Sequence, residues 1–137
     1  MKLVSDLGFV YLQTANNFRN LLEKEVIQFG LHYAQISILG LLWETDGMSQ
    51  KRIASTLELS QPTVNKMVKS LLQSDFVNCR QCNIDGRKMR VFLTDKGLFI
   101  KDDLISAVNK IQMEFFSSLS ETEQLILKQI FDRLREN

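Results

Sequence analysis

The chain is poor in the residues that would place it in several broad classes. One proline and six glycines in 137 residues exclude a collagenous or Pro/Gly-rich disordered chain. Two cysteines are too few for a disulfide scaffold. With an N-terminal stretch broken by Ser5, Asp6 and Gly8, a poor secretory leader, they point to a reducing, cytoplasmic setting. No apolar run approaches the roughly 20 residues of a membrane span, so no membrane partner is expected. A single histidine, His32, leaves no Ser-His-Asp or Cys-His set. Neither a phosphate-cradling glycine loop nor a metal-ligand cluster is visible, so no enzyme activity, no cofactor and no metal is expected.

Excess charge of one sign is also scarce, since the chain carries a net +1. Its distribution is uneven. Between Ser49 and Arg90 eight bases stand against three acids; the rest has nine bases against thirteen acids. A basic middle between acidic ends is the electrostatic footprint of phosphate binding, although solvated surfaces also carry charge runs.

Periodicity then orders the elements. Leu7, Tyr11, Thr14, Phe18 and Leu21 mark a long amphipathic helix that Gly30 would stop. Tyr33 to Glu44 is apolar nearly all round, which predicts a buried central helix. Ser49 caps a short helix over 50–57. Ser60 caps another over 61–74, with Pro62 in its first turn, where a missing N–H costs nothing. Two short helices about three residues apart are a helix-turn-helix signature. Two β-prone runs around Asn83, Asp85 and Gly86 read as a hairpin. Thr94 caps one long helix that begins at Asp95, and Ser120 with Glu123 makes a capping box for a last helix. The expected fold is mainly α with a small β-hairpin: a winged helix-turn-helix flanked by helices at both ends.

The second of the paired helices turns Val64, Met67, Val68 and Leu71 to one side. Its other side has no Asp or Glu from Gln61 to Ser74, unlike the mixed-sign pattern of a solvated helix. Asn and Gln can pair with adenine, and Lys with guanine acceptors or phosphate. Gln61, Pro62, Thr63, Asn65 and Lys66 are therefore candidates for base edges at the helix N-terminus, and Lys69 for phosphate. Arg87, Lys88 and Arg90 sit at and after the hairpin tip, where an arginine can enter a narrow minor groove. Asp85 is wrong for phosphate and is expected to fix the loop and aim Arg87.

From Leu31 to Gly97 the sequence resembles the MarR-type winged-helix transcriptional regulators. The resemblance is carried by GLHYAQISIL, by MSQKRIASTLELSQPTVNKMVKSLLQSDFV and by DGRKMRVFLTDKG. Its most specific part is D-x-R at Asp85 and Arg87, followed by L-T-x-x-G at Leu93, Thr94 and Gly97. It implies one domain over 1–137, with 31–95 as the winged helix-turn-helix and 1–30 and 96–137 as dimerisation helices. It further implies a homodimeric regulator of double-stranded DNA, a repressor, with Gln61 through Lys69 as recognition helix and Arg87 in the minor groove. Where the family usually has glycine before the wing, this chain has Asp75, which tolerates left-handed geometry.

The family also implies a small aromatic or phenolic effector, whose pocket Tyr11, His32, Tyr33 and Trp43 could line; equally, these could be core aromatics and an interfacial histidine. Cys79 and Cys82 have C-x-x-C spacing within a basic wing, which would lower a thiol pKa. They read as free thiols or as a redox sensor. A winged helix used for protein-protein assembly is the remaining alternative. Apolar residues on the flanking helices, including Phe115, Phe116, Ile130, Phe131 and Leu134, are more than one small chain can bury and are expected in a two-fold interface.

Overall fold

The computed structural model describes residues 2–81 and 89–136. Helix α1 spans Leu7–Val26, a short 3-10 turn follows over Ile27–Phe29, and Gly30 reverses the chain at φ 75°. Helix α2 spans Tyr33–Glu44, strand β1 Met48–Ser49, helix α3 Gln50–Leu57 and helix α4 Gln61–Gln73. Strands β2 (Val77–Gln81) and β3 (Met89–Leu93) form the hairpin, and helices α5 (Asp95–Phe99), α6 (Lys101–Phe115) and α7 (Glu121–Arg135) complete the chain.

The expected caps are made. The Ser49 hydroxyl accepts the Arg52 amide, Ser60 that of Thr63, and Thr94 that of Gly97. Ser120 and Glu123 bond reciprocally at 3.0 and 3.1 Å. Asp75 adopts φ 64°, as the missing glycine requires, and Glu58 closes α3 at φ 56°.

Three features differ from the sequence reading. The hairpin is joined by β1, giving an antiparallel sheet in the order β1-β3-β2; two residues are too few to show periodicity. The long helix after Thr94 is interrupted at Ile100, where ψ flattens to −12° and splits α5 from α6. Helix α2 is not buried all round: Gln35, Ile38, Leu39 and Leu42 are inside, while Gly40 and Trp43 lie on a half-open face.

One core joins α2, α3, α4 and the inner face of the sheet. Ile38, Leu39, Leu42, Ile53, Val64, Val68, Leu71, Phe76, Val77 and Val91 are each at most 1% exposed. Leu104 of α6 seals it from the other side. To this core α1 contributes only Val26, and α7 has no buried residue. Phe115 and Phe116 are half-buried, packing on Phe18 at 5.1 and 5.9 Å between ring centres, and they line an open apolar groove with Leu127 and Phe131. Among the described residues, no single helix is long and apolar enough to cross a membrane.

Candidate nucleic-acid interface

Helix α4 divides as its sequence demands. Val64, Val68 and Leu71 are buried and hold it against α2 and α3. Gln61, Pro62, Thr63, Asn65, Lys66 and Lys69 are all exposed, so the structure gathers these six candidates on one free face. Thr63 has a second task, because its hydroxyl lies 2.7 Å from that of Ser60 at the cap. The helix N-terminus, with its partial positive charge, is presented on the same face. Lys51 and Arg52 are also exposed, on the preceding helix α3, and extend the basic surface.

The sheet alternates in the expected way. Val77, Cys79, Val91 and Leu93 face the core, while Arg80, Arg90 and Phe92 face outward. Arg80 and Arg90 stand directly opposite each other. Arg90, expected on DNA, is half-buried and donates from Nη1 to the Gly47 carbonyl at 3.0 Å, tying β3 to the turn before β1. Arg80 was not among the sequence candidates. It is exposed and lies over the Phe92 ring at 4.0 Å, a placement that strand alternation with Arg90 could have revealed. Cys82, Asp85, Arg87 and Lys88 lie outside the described residues.

Cys79 corrects one expectation. Burial against the core pushes its thiol pKa above the ordinary value, and a side-chain hydrogen bond with Gln50 opposes this only in part. The basic wing does not make Cys79 an activated thiolate.

The four residues expected around an effector fall in three places and do not form one pocket. Tyr11 packs toward Phe131 in a groove between α1 and α7. His32 sits at the start of α2 with Nδ1 2.7 Å from Glu23, and Tyr33 beside it lies under the Arg19 guanidinium. Only Trp43 lines the cleft between α2 and α6, a space of about 390 Å3 bounded by Ile36, Gly40, Glu44, Lys101 and Leu104. Their separation follows from the helix axes: Tyr11 is near the outer end of α1, over three turns from the elbow that places His32 and Tyr33.

Comparison with known proteins agrees with this geometry. The model of the MarR family matches residues 31–89. The transcriptional regulator TtmR of Methylorubrum extorquens is 34% identical over 99 residues, which are 72% of this chain and 51% of TtmR. MgrA of Staphylococcus aureus, also a helix-turn-helix regulator, is 28% identical over 107 residues, 78% of this chain and 71% of MgrA. The structure of reduced AbfR bound to DNA superposes with a TM-score of 0.82 at 30% identity, covering 99% of this chain and 92% of AbfR. With an acid-free helix face beside a basic wing, in the fold of a DNA-bound relative, the chain belongs to the MarR family of DNA-binding transcriptional regulators.

Proposed function

We propose that this protein is a homodimeric repressor that grips an inverted-repeat operator and lets go when a small ligand enters the α2–α6 cleft. The observation that carries the reading is the free face of α4. Gln61, Asn65, Lys66 and Lys69 lie there together, exposed and outside the core, with Pro62 and Thr63 beside them at the helix start. The structure of AbfR bound to DNA supports DNA as the partner.

The two-fold assembly is supported by apolar surface that one chain leaves open. Leu7 is 86% exposed and Leu134 60%, and a groove of about 440 Å3 is lined by Leu7, Val10, Phe18, Leu127 and Phe131. Surface of this kind marks an interface. An isologous dimer would cover it twice and present two α4 helices to successive major grooves. The wing residues Arg87 and Lys88, steadied by Asp85, would then reach the adjacent minor grooves. The cleft is mostly apolar with Glu44 and Lys101 at its edge, which suits a small aromatic molecule with one polar group. Burial at Cys79 favours this trigger over oxidation of a C-x-x-C pair.

The test is footprinting on duplexes that the protein selects from a random pool, paired with sedimentation. A protected inverted repeat with half-site centres about 10 bp apart and a particle of twice 15.9 kDa are expected. A single asymmetric half-site, or a 15.9 kDa species at micromolar concentration, overturns the dimeric reading.

A further inference from the structure

The recognition helix ends at Gln73 and the wing begins at Val77, so three residues set the angle between them. Those residues are held from across the fold. The carbonyl of Ser74 accepts Lys96 Nζ at 2.7 Å, that of Asp75 accepts the Thr94 hydroxyl at 2.6 Å, and that of Phe76 accepts the Thr94 amide at 3.1 Å. The Lys96 ammonium also lies 4.3 Å from the centre of the Phe76 ring. The turn leaving the recognition helix is thus stapled to the turn entering α5.

Gly97 makes that contact stiff. A Cβ placed there would lie 2.3 Å from the Phe76 carbonyl oxygen and 3.1 Å from Leu93 Cδ2. Two backbone segments this close have no slack, so a displacement of one is passed to the other. One further bond reaches this junction. The indole Nε1 of Trp43 donates to the Gly97 carbonyl at 2.9 Å, across 54 residues of sequence. The same indole forms part of the wall of the α2–α6 cleft.

We propose that Trp43 is a positioning residue for DNA binding: its bond to Gly97 braces the junction that sets the recognition helix against the wing. The inference rests on the DNA-binding reading above. Trp43 lies in the core-side cleft and acts through Gly97, Thr94 and Phe76. With the bond made, α4 and the wing can engage one duplex together. With it broken, the junction is free to turn and the wing leaves the minor groove while α4 stays docked. A cleft occupant stacking on the indole would use this route, and the coupling must run both ways.

The experiment uses the full chain and a fluorescein-labelled 24-bp duplex that the wild type has selected from a random pool. Affinity is measured by anisotropy over a salt series. Trp43→Phe keeps an aromatic ring but loses the donor. Biosynthetic replacement of the chain's one tryptophan by benzothienylalanine keeps the bicyclic shape and also loses the N–H, which covers the case in which the phenylalanine variant folds poorly. Both are expected to bind about three- to tenfold more weakly, the range of one net hydrogen bond. Both should also flatten the plot of log K against log salt, by roughly one for each charged contact the wing gives up. General destabilisation would lower the active fraction without changing that slope. Wild-type affinity and slope in the benzothienyl protein overturn the proposal. A wild type that selects no duplex overturns the DNA-binding reading instead.

Discussion

The Glu23 carboxylate holds His32 at the elbow between α1 and α2, with Oε1 2.7 Å from the imidazole Nδ1. Its other oxygen accepts the Tyr33 amide at 3.0 Å, so one side chain of α1 caps the start of α2. The backbone bond from Tyr33 is the main cause that holds the Glu23 pKa below its ordinary 4.5, with His32 adding to it. A carboxylate of lowered pKa stabilises the fold at pH above its unfolded value, and that stability is lost as pH falls through the folded value. Glu23→Gln should therefore unfold at lower urea than wild type at neutral pH, with the gap closing below about pH 4. A gap that persists unchanged into acid would mean the carboxylate charge is not what the elbow uses.

Glu58 ends α3 with φ 56°, a left-handed conformation that costs a residue with a Cβ about 1 kcal/mol. Its amide and the next one bond back to Ser55 and Ala54, so the geometry is fixed by the turn and not by the side chain. Glu58→Gly should raise Tm by roughly 3–5 °C for a domain of this size. It also removes an acid beside the recognition helix, so DNA affinity should not fall. Calorimetry showing a lower Tm would mean the Glu58 side chain makes a contribution that outweighs the strain.

The two helices of the reading head were legible because local rules decide them. Ser49 and Ser60 are caps wherever they stand, Pro62 suits a first turn, and Val64, Val68 and Leu71 share a face by spacing alone. The free face of α4 followed from the same arithmetic. What stayed hidden depends on contacts between distant parts of the chain. The Arg90–Gly47 bond spans 43 residues and the Trp43–Gly97 bond 54, and no window of sequence contains either pair. Cys79 looked activated because its sequence neighbours are basic; its thiol instead points to the core with Val91, and burial outweighs nearby charge. The effector residues were chosen by type, aromatic or histidine, and type says nothing of which side of which helix they occupy.

The raised pKa of Cys79 has a chemical consequence. Less thiolate at neutral pH means slower attack on alkylating agents. In a Cys82→Ser protein, the remaining Cys79 should react with iodoacetamide more slowly than a free thiol in a short peptide, and the rate should climb steeply on urea unfolding. A rate equal to or faster than the peptide's at pH 7.5 would restore the activated-thiol reading and with it a redox trigger.

Arg90 has a structural partner, which separates it from the bases of α4. Its bond to the Gly47 carbonyl fastens the middle strand to the turn that leads into the helix-turn-helix. Arg90→Ala should cost about 1 kcal/mol of stability, the scale of one hydrogen bond to a charged group that is only half-buried. The urea midpoint should fall with its slope unchanged. A midpoint equal to wild type would mean that the bond is not held in solution.

Asn65 and Lys66 should behave in the opposite way. Both are exposed on α4, opposite Val64 and Val68, so truncating either should move stability by no more than about 0.5 kcal/mol. Their effects on DNA should differ in kind. If Asn65 reads adenine in the major groove, Asn65→Ala costs about 1–3 kcal/mol on the selected duplex and relaxes preference at one symmetric pair of positions. If Lys66 meets a phosphate, Lys66→Ala weakens selected and scrambled duplexes alike and reduces the salt slope by about one. The comparison is two variants, two duplexes and a salt series. Equal losses on both duplexes for Asn65→Ala would remove it from base reading, and an unchanged slope for Lys66→Ala would take that ammonium off the phosphates. If both variants bind as wild type does, the free face of α4 is not the surface that meets DNA.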